Sequence, residues 1–217
     1  MSGLKKAIFG GTFDPIHNGH LDLAYEALRL LKLDKVIFVP SGKPPHKTDK
    51  IITDASVRCE LVKSAISDQD KFEMSSFEVD NIGLSYTYKT LKYFNQLEKT
   101  TKWYFLTGSD CLTELHYWKN VGDILKLCNF VVFNRPGFDE IDINKIKIQT
   151  EKKYNKEIIL LKINPLDISS SMVRQKVKNK EEIKDLVPKS VEASIRKLRL
   201  YYEENIDAKW KRDWRIP

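Results

Sequence analysis

Long apolar runs are missing from this chain of 217 residues. None approaches the roughly 20 residues needed to cross a bilayer, so no membrane span is expected. The apolar residues between Met1 and Asp14 are too few for the core of a secretory leader. Cysteine is scarce: Cys59, Cys111 and Cys128 stand far apart. Such spacing gives neither a disulfide framework nor a C-x-x-C metal pair, and it suits a reducing cytoplasm. All three read as small apolar residues. Internal repeats, low-complexity segments and a convincing linker are also wanting. One domain is therefore expected over residues 1–202, with 203–217 as a tail carrying Trp210 and Trp214 among charges.

What the chain has in plenty is the ordinary mixture of a globular protein. Hydrophobic residues make up 41% and charged residues 31%, which excludes the low-hydrophobicity composition of disordered chains. The formal net charge is +7. That balance suits anionic partners in general, whether nucleotides, nucleic acid or an anionic membrane surface, and selects none of them. A solvated lysine-rich surface accounts for Asn144–Lys156 and for the tail.

Short β-branched or aromatic runs alternate with longer helical patterns. Strands are expected at Lys6–Phe9, Val36–Val39, Phe72–Val79, Trp103–Thr107, Phe130–Phe133 and Glu157–Ile163. Several are nearly continuous apolar runs, as in strands of a parallel sheet covered on both faces. Helices are expected at Gly19–Leu33, Ala55–Ile66, Tyr86–Leu97, Val121–Leu127, Ser170–Lys178 and Pro188–Leu200. In the first, Leu21, Ala24, Leu28 and Leu31 form a stripe that Leu23, Ala27 and Leu30 widen. In the last, Pro188 suits the first helical position, and Val191, Ile195 and Leu198 face one side. This βαβα alternation predicts an α/β fold: a Rossmann-like, doubly wound, mostly parallel sheet with helices on both faces.

The chemistry concentrates in the first turn, Gly10-Gly11-Thr12-Phe13-Asp14-Pro15-Ile16-His17-Asn18-Gly19-His20. A strand ends at a glycine pair, a loop follows, and a helix begins near Asn18. Ligands of open α/β sheets collect at the carboxyl ends of strands. Glycines there let a ligand phosphate approach the backbone, and a helix start offers N–H groups and a positive dipole end. His17 and His20, three residues apart, face one direction on a helix. Two imidazoles beside an anion site can stabilise the charge of an in-line displacement at phosphorus. H-x-x-H could instead hold zinc, although no H-E-x-x-H motif or obvious third ligand accompanies it.

This stretch, with its H-x-G-H element, resembles the signature of the nucleotidylyltransferase superfamily. The resemblance implies that Gly10, Gly11, Thr12 and Phe13 lie at the ATP site, that His17 and His20 contact the reacting phosphates, and that Mg²⁺ enters with ATP. Further stretches are similar to bacterial nicotinate mononucleotide adenylyltransferases. Pro40–Lys47 reads PSGKPPHK, which implies a phosphate contact at Lys47. Ser85-Tyr86-Thr87 opens a helix whose Thr87 amide would hold the nicotinate carboxylate, and Ser85 itself could be a plain helix cap. Two positions further the family usually has an acidic residue, where this chain has Lys89. Gly108-Ser109-Asp110 matches a ribose-binding motif, giving Gly108 and Asp110. Trp118 would stack on the nicotinate ring, with the Lys119 amide as a second carboxylate donor. Asn134-Arg135-Pro136-Gly137 offers Arg135 to phosphate. Ile168-Ser169-Ser170-Ser171-Met172-Val173-Arg174 resembles I-S-S-T-x-I-R, with Ser171 and Val173 as mild departures. There Ile168, Ser169, Ser170 and Arg174 would embrace phosphate. The resemblance covers about Lys5 to Tyr202, with its motifs in the family's order.

The activity so implied is transfer of the adenylyl group of ATP to nicotinate mononucleotide, giving nicotinate adenine dinucleotide and diphosphate without a covalent enzyme intermediate. Amidated mononucleotide and phosphopantetheine are rival acceptors. A nucleotide- or nucleic-acid-binding module is a rival of another class. It lacks support from an aromatic-rich RNA-binding signature or a helix-turn-helix with a concentrated basic face, so no nucleic-acid partner is expected. Oligomeric state is open, a homodimer included.

Overall fold

The computed structural model describes residues 3–43, 52–81, 83–133 and 140–202. Lys47, Arg135 and the tail 203–217 lie outside the described residues.

Six strands carry the most apolar runs: β1 (Lys5–Gly11), β2 (Lys35–Pro40), β3 (Phe72–Met74), β4 (Lys102–Gly108), β5 (Asn129–Phe133) and β6 (Ile158–Leu161). They form one sheet in the order β3-β2-β1-β4-β5-β6. Every neighbouring pair is parallel. Between and after the strands lie α1 (Asn18–Leu30), α2 (Ala55–Ile66), α3 (Phe77–Asp80), α4 (Thr87–Leu97), α5 (Ser109–Glu114), α6 (Val121–Leu127), α7 (Glu140–Tyr154), α8 (Ser170–Lys178) and α9 (Lys189–Lys197).

Strand periodicity divides the core in two. Ala7, Phe9, Val36, Phe38, Val131 and Phe133 point into a cluster shared with Leu23, Leu61, Val173 and Val191 of α1, α2, α8 and α9. The alternate residues Ile8, Ile37, Val39, Phe130 and Val132 meet Leu91, Leu112, Ile124 and Ile143 of α4, α5, α6 and α7. Both faces of the sheet are thus covered, which is why the strands read as unbroken apolar runs. The order reverses at β1: the chain moves outward through β2 and β3, then returns to the other side of β1 through β4. Loops leaving β1 and β4 therefore diverge and leave a crevice at their carboxyl ends.

Several local expectations change. The strand expected at Phe72–Val79 ends at Met74, and Phe77–Asp80 is a helical turn. The Ser75 hydroxyl accepts from the Phe77 amide (3.3 Å), and the Ser76 carbonyl takes the amides of Val79 and Asp80, so this backbone closes on itself instead of pairing. Asn144–Lys156 lies mostly in α7, whose Ile143 is buried and whose Ile146 and Tyr154 pack on the second cluster. In α1, Leu30 is exposed, and the chain turns out through Lys32 at φ 51°. Pro188 caps α9 from outside rather than opening it. Leu198 falls past that helix and is exposed, while Leu200 takes the buried place.

Candidate active site

A cleft of about 880 Å³ opens at the crevice between β1 and β4. Its lining holds Gly10, Gly11, Thr12, Phe13, His17, His20, Thr87, Gly108, Asp110, Trp118, Lys119, Ile168, Ser169, Ser170 and Arg174. Every candidate within the described residues is there. They come from five separate stretches that only the sheet order brings together.

In the first loop, Phe13 adopts a left-handed backbone, φ 50°, and lays its ring against Gly11. A Cβ on Gly11 would stand 2.8 Å from that ring, whereas one on Gly10 would make ordinary contact with Phe105 at 3.4 Å. Gly11 is thus required by the folding of its own loop, in addition to any approach of a phosphate.

His17 caps α1, and the two imidazoles lie face to face, 3.7 Å between ring centres and tilted by 31°. The His20 Nδ1 accepts from the His17 amide at 3.3 Å. A neutral ring accepting at Nδ1 carries its proton on Nε2, which makes that atom a donor. Phe13 and Phe9 hold the His20 ring by their edges, at 5.0 and 6.1 Å. Gly19 explains the third element of H-x-G-H. A Cβ there would lie 3.1 Å from His17 Nδ1 and 3.4 Å from the Ile168 carbonyl.

The amide supply at the start of α1 is smaller than expected. Asn18 N–H donates to the Leu186 carbonyl (2.8 Å) and His20 N–H to the His17 carbonyl (2.9 Å). Stabilisation of any anion there would fall mainly to the imidazoles. A second helix start, that of α8, adds to it. Ser169 caps α8 by accepting from the Met172 amide (3.1 Å), and the Ser170 hydroxyl donates to the Pro15 carbonyl (2.9 Å). What Ser170 can offer an anion is therefore its backbone amide, not its hydroxyl. Arg174 donates to the Asp14 carbonyl (2.6 Å) and to Ser171 Oγ (3.3 Å). Its guanidinium has further N–H groups beyond these.

Sequence reasoning gave no role to the residues behind the loop. Asp14 is buried, accepting from the Tyr201 phenol (2.7 Å) and from the Thr53 amide (3.3 Å). Burial, then the Asp14 charge, pushes the Tyr201 phenol well above its ordinary range. Arg58 is 1% exposed and donates to four carbonyls, those of Thr12 (2.6 Å), Ser41 (2.7 Å), Thr53 (2.8 Å) and Gly42 (3.5 Å). Burial lowers its pKa, against the pull of Asp14. One signal was legible: Arg58 stands three and four residues before Leu61 and Val62, on the apolar face of α2. Tyr201 and Glu78 gave none.

At the other end of the cleft, Tyr86 caps α4, so Ser85 is not its cap. The Ser85 hydroxyl accepts from the amides of Gly42 (3.0 Å) and Lys43 (3.3 Å), tying the end of β2 to the approach of α4. Beside it Glu78 accepts from Thr90 Oγ1 (2.6 Å) and is hydrogen-bonded to Ser85; burial nonetheless pushes its carboxyl upward. Trp118 meets Phe105 and Phe130 edge-on, at 6.2 and 6.3 Å, with its flank in the cleft. The Lys119 and Lys89 ammonium groups sit 5.1 and 5.7 Å from the centre of the Tyr86 ring. Lys89 thus has a partner of its own in place of the usual acidic side chain.

The cytidylyltransferase-like family pattern matches residues 8–176. A Clostridium novyi protein named "Probable nicotinate-nucleotide adenylyltransferase" is 59% identical over 197 residues, covering 91% of this chain and 98% of that one. A Clostridium tetani protein of the same name is 51% identical over the same shares. Among solved structures, Plasmodium falciparum nicotinic acid mononucleotide adenylyltransferase complexed with NaAD aligns at a TM-score of 0.74 and 22% identity, over 91% of this chain and 97% of that one. At that identity the likeness speaks for the fold, the same doubly wound sheet. Taken with the cleft and its paired imidazoles, these matches place the chain in the cytidylyltransferase-like family, beside the nicotinate-nucleotide adenylyltransferases.

Proposed function

We infer that the chain transfers the adenylyl group of ATP to nicotinate mononucleotide, forming nicotinate adenine dinucleotide and diphosphate. One observation carries the reading furthest: two imidazoles 3.7 Å apart lie in a cleft at the strand-order reversal, within one lining that also holds both helix starts and Arg174. A phosphate oxygen of the mononucleotide attacks the α-phosphorus of ATP. The new P–O bond forms as the bond to diphosphate breaks, and no enzyme group becomes covalently attached.

The mononucleotide phosphate is already ionised at neutral pH, so no general base is needed. His20 Nε2 and His17 donate toward the phosphoryl oxygens as charge builds, and Arg174 with the start of α8 holds the departing phosphates. Positioning and charge stabilisation supply the rate, as in phosphoryl transfer generally. Asp110 and Gly108 would face the ribose, and Thr87, Trp118 and Lys119 the nicotinate. Lys47 and Arg135 complete the phosphate set in this proposal.

Mg²⁺ fits as a companion of ATP. Among the described residues no group of three or more His, Cys, Asp or Glu side chains could hold a metal ion, and magnesium takes phosphate oxygens and water readily. When bound, it neutralises triphosphate charge. We further propose a single domain over residues 1–202 and a cytoplasmic enzyme; among the described residues no helix is long and apolar enough to cross a membrane.

The test is diphosphate release from ATP and Mg²⁺ with a panel of acceptors. Nicotinate mononucleotide should give the highest kcat/KM, above its amide and above phosphopantetheine. His20→Ala should lose at least about 100-fold in kcat, the scale of one transition-state donor, with unfolding unchanged. Near-normal turnover of that variant would remove the histidines from the chemistry.

A further inference from the structure

Ser41 follows β2 and stands beside the glycine pair. Both of its backbone groups are taken. Its amide donates to the Gly11 carbonyl at 2.8 Å, and its carbonyl accepts from Arg58 Nη2 at 2.7 Å. Those two bonds fix the residue from opposite sides, one from the neighbouring strand and one from a buried guanidinium.

The hydroxyl is different. Ser41 is 9% exposed, and its Oγ is buried with no hydrogen-bond partner among the described residues. A buried hydroxyl left so forfeits the hydrogen bonds it would make to water, and native proteins rarely leave one without a purpose. Ser41 also lines the cleft. Its neighbour Gly42 cannot yield, since a Cβ there would stand 2.2 Å from the Glu78 carbonyl. The Gly42 amide is bonded to Ser85, directly before Tyr86 and Thr87. The hydroxyl is therefore held between the glycine pair, at the phosphate end, and the approach to α4, at the mononucleotide end.

We propose that Ser41 is a substrate-binding residue whose hydroxyl donates a hydrogen bond to a phosphate oxygen of the bound mononucleotide. The inference rests on the adenylyl-transfer reading above, and it adds to that reading the residue that seats the attacking phosphate. Two features make the hydroxyl suitable. It is a neutral donor, so it orients an ionised phosphate without drawing off the charge that must attack. Its backbone is also fixed before binding by those two hydrogen bonds, so little ordering is needed when substrate arrives.

The experiment compares the full-length wild type with Ser41→Ala. Thermal unfolding without ligand should be unchanged or slightly raised, because the substitution removes a buried hydroxyl that bonds to nothing among the described residues. At saturating ATP, the KM for nicotinate mononucleotide should rise about tenfold, the size of one hydrogen bond to a charged group. KM for ATP should stay within about twofold of wild type, and the rise in melting temperature caused by the mononucleotide alone should shrink. A hydroxyl that merely supports the fold would instead lower the ligand-free melting temperature and leave the two KM values in proportion. That pattern, or an unaltered KM for the mononucleotide, overturns the proposal. Wild-type protein that releases no diphosphate with this acceptor would overturn the functional reading first, and the Ser41 assignment with it.

Discussion

Tyr201→Phe removes the buried hydrogen bond that ties Tyr201 to Asp14 in the loop after β1, together with the phenol's bond to the Thr53 side chain. The phenol donates to Asp14 Oδ1 at 2.7 Å, with both residues buried. Phenylalanine keeps the ring and its packing, so the loss is the hydroxyl alone. Among the described residues, the carboxylate then keeps the Thr53 amide, at a long 3.3 Å. A hydrogen bond to a charged group is worth about 1.5–3 kcal/mol, so we expect a loss of about 2 kcal/mol. For a domain of this size that lowers the melting temperature by about 4–8 °C. The assay is urea and thermal unfolding at pH 8, followed by circular dichroism.

A pH series adds a sign. The folded phenol is raised above its ordinary value of 10.0 by burial first and Asp14 second. Its stabilising contribution is then complete below pH 10.0 and declines as the unfolded chain ionises at higher pH. The gap between wild type and variant should be constant at pH 7–9 and narrow above pH 10. A loss under about 0.5 kcal/mol at pH 8, or a gap that widens in alkali, would refute the picture of a charged, buried Asp14 held by this phenol.

Gly19→Ala should lower kcat by at least about tenfold with a loss of no more than about 1 kcal/mol in stability, since alanine suits a helix but its Cβ would press on the His17 ring; steady-state kinetics beside urea unfolding would show it, and normal kcat would mean the ring has room to move. Burial pushes the Cys128 thiol up to about 12, so iodoacetamide at pH 8 followed by peptide mass spectrometry should find Cys128 unmodified in the folded protein and modified in urea. Cys111, which lines the cleft, should be alkylated more slowly when ATP is present.

Ser41 and the loop after β1 show why some of the site was legible and some was not. The glycine pair, His17 and His20 lie within eleven consecutive residues, so local spacing carries their relation. Motif residues as distant as Asp110 and Arg174 could be named because Gly108-Ser109-Asp110 and Ile168–Arg174 resemble family motifs, not because their spacing shows that they meet. Arg58, Tyr201, Glu78 and Ser41 follow no such rule. Their parts depend on which carbonyl, carboxylate or amide a folded neighbour presents, and those neighbours lie up to 187 positions away.

From the sequence alone came the doubly wound architecture and the place of the chemistry, because side-chain periodicity and the glycine-rich turn are local properties of a chain. Local pattern also misjudged Phe72–Val79, where serine side chains closed a turn that strand propensity would have extended. Tertiary structure decided what the helix start could offer, since Leu186 and His17 had claimed two of its amides before any nucleotide could. It likewise decided that Gly11 must make way for Phe13, and that a buried guanidinium grips four carbonyls. Hydrogen-bond capacity is shared among all groups that meet in space, and only the folded arrangement shows which remain for substrate.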